Sequence, residues 1–172
     1  MKIYLIGFMG CGKSSIGKKL ASACRLSFID TDVLFENEYQ CSILDFFASH
    51  TEAEFRTKEQ KILHQTLQLE NVVIATGGGM PCFEDNMQWL LSHGIVVYVE
   101  MPPLALYHRL SHSKEERPLL SNKETLLEDI ETLFAQREAT YKKAHICISG
   151  LRYNMDMLVK IINDNIPNDL SI

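Results

Sequence analysis

Short apolar runs alternate along the chain with longer segments of helical period. The apolar runs are predicted to form five strands, at Lys2–Ile6, Ser27–Asp30, Val72–Thr76, Ile95–Glu100 and Ile146–Ile148. Several of these runs are almost continuously apolar, which is typical of strands covered on both faces. The alternation therefore predicts βα units and an α/β fold with a five-stranded parallel sheet.

Capping signals predict where several helices begin. Thr51 and Glu54 have the spacing of a capping box, in which each side chain accepts a hydrogen bond from the other residue's backbone amide. Ser121 and Glu124 have the same spacing. The predicted helices run from residue 51 to about residue 69, from 121 toward 143, and onward from 154 or 155.

Length and composition predict one domain spanning residues 1–172. No internal repeat or linker divides the 172 residues, and chains of this length bury enough surface to fold without disulfides. The net charge of -5 argues against a nucleic-acid-binding protein, because phosphate backbones attract basic surfaces. No apolar run approaches the ~20 residues that span a bilayer. We therefore expect a monomer with no nucleic-acid or membrane partner.

The cysteine pattern predicts a cytoplasmic protein. Five cysteines are scattered along the chain without a Cys-x-x-Cys pair, which favours reduced thiols over a disulfide framework. The apolar N-terminal run is followed by Gly-Cys-Gly-Lys rather than by a small-residue cleavage site. This favours a buried first strand over a signal peptide.

The segment Gly7–Ser14 matches Gly-x-x-x-x-Gly-Lys-[Ser/Thr] in full. It follows a predicted strand and opens a helix, where glycines let backbone amides turn onto phosphate oxygens. Lys13 is predicted to bridge the β- and γ-phosphates of a nucleotide, and the Ser14 hydroxyl to bind Mg²⁺. The competing interpretation is a glycine-rich turn that binds nothing.

Cys11 lies inside this loop, next to Lys13 and near a helix N-terminus. Both features activate a thiol, so Cys11 is predicted to be the most reactive cysteine. Cys147 and Cys24 are expected to be buried and inert. Alternatively, Cys11 is the small residue that a tight loop permits, with its sulfur turned away from solvent.

Two further groups follow predicted strands. Asp30 and Asp32 come at the end of the second strand, the edge at which open α/β sheets bind ligands. They point the same way if the strand persists; as turn and cap residues they would have no such role. Gly77–Gly79 follows the third strand, and three glycines suggest close approach of a ligand rather than an ordinary turn.

Three isolated arginines, Arg56, Arg117 and Arg137, are candidates for binding carboxylate or phosphate. A guanidinium group offers a permanently charged fork to such anions, although most arginines are simply solvated. Arg117-Pro118 lies in the polar segment 111–122, which we predict to be a mobile excursion from the fold.

Taken together, the motifs resemble those of the shikimate kinases, a branch of the nucleoside-monophosphate-kinase-like P-loop fold. The resemblance extends from residue 2 to about residue 162. It rests on the order and spacing of Gly7–Ser14, Asp30–Asp32, Glu54–Arg56, Gly77–Gly79, Arg117–Leu120, and Gln136 and Arg137 through Tyr141. It implies a three-layer αβα fold, with a substrate-binding helical region at about 32–61 and a lid at about 111–122.

The resemblance implies ATP-dependent phosphorylation of the 3-hydroxyl of shikimate in aromatic amino-acid biosynthesis. Phe47 and Phe55 would shape the acceptor pocket. Asp32 would orient the hydroxyl and accept its proton, and Arg56 and Arg137 would grip the carboxylate. The residues that would bind shikimate are Asp32, Arg56, Gly78, Gly79 and Arg137.

On the nucleotide side, the resemblance implies that Lys13 and Arg117 act on the transferring phosphate. Ser14 would bind Mg²⁺, and Asp30 would support the ion through water. Arg152 matches the adenine-stacking arginine, but the Asp and Pro that flank it in many members are absent. The residues that would bind ATP or ADP are Gly10, Cys11, Gly12, Lys13, Ser14, Ser15, Arg117 and Arg152.

Two alternatives remain open from the sequence. One is a different small-molecule kinase on this fold, such as a gluconate or nucleoside monophosphate kinase. The other is a nucleotide-dependent switch with no acceptor. Acceptor-dependent release of ADP discriminates between them.

Overall fold

The computed structural model describes residues 1–113, 118–120, 122 and 124–165. Five parallel strands form one sheet with the order β2-β3-β1-β4-β5. Their bounds are β1 Lys2–Ile6, β2 Ser27–Asp30, β3 Val72–Ala75, β4 Ile95–Glu100 and β5 Ile146–Ser149. The predicted strands are confirmed, except that β3 ends one residue earlier and β5 one residue later.

Eight α-helices lie in the described part of the chain. They are α1 Lys13–Cys24, α2 Thr31–Tyr39, α3 Ile43–Ser49, α4 Glu52–Gln65, α5 Asn86–His93, α6 Pro103–Ser111, α7 Leu126–Tyr141 and α8 Met155–Asp164. Short 3₁₀ turns cover Thr66–Gln68, Met80–Cys82 and Pro118–Leu120. None of these helices is long and apolar enough to cross a membrane.

The capping predictions have different outcomes. Thr51 and Glu54 form the predicted capping box at the start of α4, and the Asn154 side chain caps α8. The predicted start of α7 at residue 121 is wrong, because the helix begins at Leu126 after Thr125. Residues 121 and 123 of that box lie outside the described residues.

Burial along the central strands shows that both faces of the sheet are covered. Successive residues of β1, β3 and β4 are buried without alternation, although neighbouring side chains point to opposite faces. A second apolar cluster, Phe35, Phe46, Phe55 and Ile62, lies apart from this core among α2, α3 and α4. These helices, which lie between Thr31 and Gln65, cover the predicted substrate-binding region at 32–61.

The strand order places three loops at the carboxyl edge of the sheet. β1 lies between β3 and β4. The strands β2 and β3 are therefore on one side of β1, and β4 and β5 are on the other. In such sheets ligands bind where the strand order reverses. The segments that follow β1, β2 and β3 begin at Gly7, Thr31 and Thr76, the second of them as the first turn of α2, and all three contribute candidate functional residues.

Candidate active site

A cavity of about 590 Å³ joins the three loops. On one side it is lined by the loop after β1, including Gly10, Gly12 and Lys13. On the other side it is lined by Asp32, Arg56 and residues that follow β3. The cavity therefore spans the predicted nucleotide and acceptor sites.

The loop after β1 has the backbone of a phosphate-binding loop. Gly7 has a φ of +142°, and a Cβ there would lie 2.7 Å from the Val99 carbonyl oxygen. A side chain is therefore excluded by both conformation and space. Gly12 precedes α1 directly, so the helix N-terminus faces the cavity with its unsatisfied amides.

Lys13 is hydrogen-bonded to the backbone of this loop. Its side chain is buried, and Nζ donates hydrogen bonds to the carbonyl oxygens of Gly7 at 2.9 Å and Phe8 at 3.0 Å. The ammonium group thus lies beside the backbone that would surround the phosphates.

Ser14 and Asp30 are joined directly. Ser14 Oγ donates to Asp30 Oδ2 at 2.6 Å, and Asp30 Oδ1 accepts from the Asp32 amide at 3.1 Å. Hydroxyl and carboxylate oxygens are the ligands that Mg²⁺ prefers, directly or through water. The chemistry of this pair therefore fits a magnesium ion.

The sequence suggested that Asp30 and Asp32 would point the same way if the strand persisted. The strand does not persist, so the two residues do not share a strand face. β2 ends at Asp30, which becomes the N-cap of α2, and Asp32 lies in the first turn of that helix. The cap interpretation is therefore correct for Asp30, which also holds Ser14. Asp32 reaches the acceptor side, since its Oδ1 lies 3.0 Å from where a Cβ on Gly77 would be.

Arg56 is held by two carboxylates of its own helix. Its guanidinium donates to Glu59 at 2.6 Å and to Glu52 at 3.1 Å, and only 8% of the residue is exposed. A Cβ on Gly79 would collide with this guanidinium. Glycine at position 79 therefore allows Arg56 to lie directly against the loop Gly77–Gly79.

Arg137 is a buried cation with spare donor capacity. It is 6% exposed, and its Nη1 has no hydrogen-bond partner among the described residues. An unsatisfied buried donor is costly, especially on a charged group. Arg137 is not among the described residues that line the cavity, whereas Arg56 is.

Glu59 is a buried carboxyl group with a strongly raised pKa. Burial, joined by the charge of Asp32, raises its pKa to about 7, although Arg56 and Arg137 act in the opposite direction. The charges of both guanidinium groups therefore act on Glu59. The spacing of Arg56 and Glu59, three residues apart on a helix, is the signal that would have identified this pair.

The raised pKa of Glu59 predicts an unusual pH dependence of stability. Between pH 4.5 and 7 the folded protein retains a proton on Glu59 that the unfolded chain releases, so the free energy of unfolding should fall as pH rises through this range. The shift corresponds to a decrease of roughly 3 kcal/mol. Urea unfolding at several pH values checks this. The decrease should be absent from Glu59→Gln, and parallel curves for the two proteins would contradict it.

The burial of the cysteines differs from the prediction and favours the alternative in which the Cys11 sulfur is turned away from solvent. Cys11 is fully buried, with its sulfur against Gly7, whereas Cys147 is exposed at the edge strand β5. The expectation of a buried Cys147 is therefore wrong, because β5 alternates between buried and accessible positions. Cys24 is half-buried rather than buried.

We expect iodoacetamide to label Cys147 at least tenfold faster than Cys11 in the native protein, because a buried sulfur cannot meet the reagent. Peptide mapping by mass spectrometry measures both rates. Cys147→Ser should remove the fast phase and leave catalytic activity unchanged. Labelling of Cys11 first, with protection by ATP, would contradict this expectation.

Arg109 on α6 is a candidate that the sequence did not reveal. Its Nη1 lies 3.4 Å from the carbonyl oxygens of Gly10 and Cys11, over the phosphate loop. No motif marks it, since it is brought there by the packing of α6. Arg152, the predicted adenine contact, is exposed, and its backbone amide donates to Ser149 Oγ at 3.2 Å.

Part of the predicted lid cannot be placed. Arg117 lies outside the described residues, as do 114–116, 121 and 123. Leu119, within the same segment, lines the cavity.

A phosphate loop with its lysine and serine thus shares one cavity with several carboxylate groups and the Arg56 guanidinium. This combination of fold and site defines a P-loop kinase. A sequence model of one family, described as shikimate kinase, matches residues 9–165. The chain belongs to the shikimate kinase family, whose members phosphorylate shikimate with ATP in aromatic amino-acid biosynthesis.

Individual relatives agree with this assignment. The chain is 41% identical to the shikimate kinase of Azobacteroides pseudotrichonymphae, over 92% of this chain and 95% of the relative. It is similar to the crystal structure of shikimate kinase from Bacteroides thetaiotaomicron, with a TM-score of 0.85, 32% identity, and coverage of 95% and 97%. It is also similar to shikimate kinase from Acinetobacter baumannii in complex with shikimate, with a TM-score of 0.86, 30% identity, and coverage of 96% and 95%.

Proposed function

We propose that the protein binds shikimate beside Gly77–Gly79 and transfers the γ-phosphoryl group of ATP to its 3-hydroxyl, using the residues described above. The observation that supports this acceptor is the pair of buried guanidinium groups, Arg56 and Arg137, whose charges both act on Glu59. Two permanently charged forks suit a single carboxylate. A gluconate or nucleotide acceptor would have to satisfy the same two buried cations.

The transfer is proposed to proceed in line. The 3-hydroxyl oxygen forms a bond to the γ-phosphorus, the bond from phosphorus to the β–γ bridging oxygen breaks, and ADP leaves. Asp32 orients the hydroxyl and takes up its proton. Because the transition state is loose and rich in charge, positioning and electrostatics account for most of the acceleration.

On the nucleotide side, Lys13 would exchange its contacts with Gly7 and Phe8 for the β- and γ-phosphate oxygens. Ser14 and, through water, Asp30 would hold Mg²⁺, which neutralises phosphate charge when bound. Amides of the loop, from Gly10 to Ser15, would bind the remaining phosphate oxygens. Arg109 lies over this loop, and we assign it to the nucleotide together with Arg152.

Three expectations remain predictions. They are the action of Arg117 on the transferring phosphate, the division into a substrate-binding region at 32–61 and a lid at 111–122, and a cytoplasmic, monomeric state. The separate apolar cluster among α2, α3 and α4 supports the substrate-binding region as a distinct unit of packing.

The function is tested by measuring ADP release with candidate acceptors. Shikimate should stimulate release strongly, whereas gluconate, AMP and CMP should not. The methyl ester of shikimate is a matched control, because it retains the hydroxyls and removes the carboxylate charge. Equal turnover with AMP or with the ester would overturn the proposed acceptor, and nucleotide binding without stimulation by any acceptor would favour a switch.

A further inference from the structure

The acceptor loop Gly77–Gly79 has three carbonyl groups that are fixed in different ways. The Gly77 carbonyl accepts from the Met80 amide at 3.2 Å, and the Gly79 carbonyl accepts from the Cys82 amide at 3.0 Å. Both are ordinary turn hydrogen bonds within the backbone. The Gly78 carbonyl instead accepts from the Tyr141 hydroxyl at 2.6 Å, and no other described residue donates to it.

We infer that Tyr141 is a positioning residue for the acceptor: its hydroxyl sets the orientation of the Gly78–Gly79 peptide and thereby aims the Gly79 amide at the substrate carboxylate. The inference rests on the proposed binding of shikimate at this loop. It adds a residue with no direct contact to the reacting atoms.

The geometry of a peptide bond links the two groups. In a trans peptide the C=O and the following N–H point in opposite directions. Holding the Gly78 oxygen at Tyr141 therefore directs the Gly79 N–H away from Tyr141. Gly79 lies against the Arg56 guanidinium, and among the described residues no acceptor takes its amide. The amide and Arg56 can then converge on one anion.

Tyr141 itself is held rigidly. Its side chain is fully buried and its ring stacks on Tyr98, with centroids 5.2 Å apart. It lies one helical turn after Arg137 on α7, so the same helix face holds the loop and carries the second guanidinium. Burial raises the pKa of Tyr141, which keeps the hydroxyl protonated and able to donate.

The loop has little freedom elsewhere. A Cβ on Gly78 would lie 2.9 Å from the Met9 amide nitrogen of the phosphate loop, and the Gly77 amide donates to Thr31 Oγ1 at 3.0 Å. The backbone on both sides of the Gly78–Gly79 peptide is therefore fixed. Rotation of that single peptide is the motion that Tyr141 prevents.

The test compares three Tyr→Phe variants that each remove one buried hydroxyl. Tyr141→Phe should raise the KM for shikimate about tenfold, the factor expected for one hydrogen bond, with kcat and the KM for ATP within about twofold of wild type. Tyr4→Phe is the matched control, because Tyr4 is fully buried and its hydroxyl bonds Thr66 Oγ1 at 3.0 Å, away from the site. Tyr98→Phe keeps the ring that stacks on Tyr141 and removes a hydroxyl that has no partner among the described residues. It should leave both KM values unchanged.

A purely structural role makes a different prediction. Tyr4→Phe and Tyr141→Phe would then lower Tm by similar amounts and leave both KM values unchanged. That result would overturn the inference. The proposed function would still stand as long as the wild-type protein phosphorylates shikimate. If the wild-type protein itself fails to phosphorylate shikimate, both fall together.

Glycine amide NMR provides a second measurement that does not depend on turnover. The chain has nine glycines, so a spectrum of protein labelled with ¹⁵N-glycine is simple to assign. Shikimate should shift the Gly79 amide in wild type and in Tyr4→Phe, and shift it by less than half as much in Tyr141→Phe. Equal shifts in all three proteins would overturn the inference.

Discussion

Asp32→Asn is expected to lower kcat for shikimate phosphorylation by about 10³-fold, within the range that a positioned general base contributes. The amide has the shape of the carboxylate but cannot take up the proton of the attacking hydroxyl. Because Asp32 lies in the first turn of α2 at the cavity, and not in the core, the fold should be preserved. Steady-state kinetics with saturating shikimate and ATP measures the loss, and circular dichroism checks the fold.

Glu36→Gln provides the control for this prediction. Glu36 lies one turn further along α2, lines the same cavity, and accepts a hydrogen bond from the Ile43 amide. The substitution removes the same charge at nearly the same place, and glutamine can still accept that bond. If both variants lose activity equally, the effect of Asp32 is electrostatic rather than that of a base. If Asp32→Asn retains more than a tenth of kcat, the assigned role is wrong.

The sheet was predictable from the sequence because its signal is local. A buried parallel strand needs a continuous apolar run, and each such run gave a strand within one residue of its predicted bounds. Helix starts were less predictable. The box at Thr51 formed, but α7 begins five residues after Ser121, because packing of an apolar helix face competes with capping.

The candidate site was predictable where one short motif carries it. The loop Gly7–Ser14 contains its glycines, lysine and serine in a fixed spacing, and the structure places them together at the cavity. The direction of Asp32 was not predictable, since it depends on whether β2 continues past Asp30. A change from strand to helix at that residue redirects the side chain, although the sequence motif is unchanged.

The residues that the sequence did not reveal act through tertiary contacts. Arg109 reaches the phosphate loop from α6. Tyr141 bonds Gly78, although the two residues are 63 positions apart in the sequence. The burial of Cys11 is of the same kind, because its sulfur lies against Gly7 and its carbonyl oxygen lies close to the distant Gly150. Such contacts leave no signal in the local sequence.

Lys13→Met is expected to reduce kcat by about 10³-fold, comparable to the loss of a preorganised charge that stabilises a transition state. Methionine fills nearly the same volume, so the loop should retain its shape, but it cannot bridge the β- and γ-phosphates. The effect should fall mainly on kcat, because the charge on these oxygens increases as the phosphoryl group transfers. Steady-state kinetics and nucleotide binding by calorimetry separate the two contributions.

The structure provides a matched control on the same helix. Lys18 is exposed, and its ammonium lies 5.8 Å from the centre of the Phe28 ring, away from the cavity. Lys18→Met removes an equal charge from α1 and should leave kcat within about twofold, because exposed charges are well screened. Lys13, in contrast, is 8% exposed, and its ammonium group contacts the carbonyl oxygens of Gly7 and Phe8. Its charge is therefore screened by solvent much less than that of Lys18. Equal activity of the two variants would show that the loop binds the nucleotide through its backbone alone.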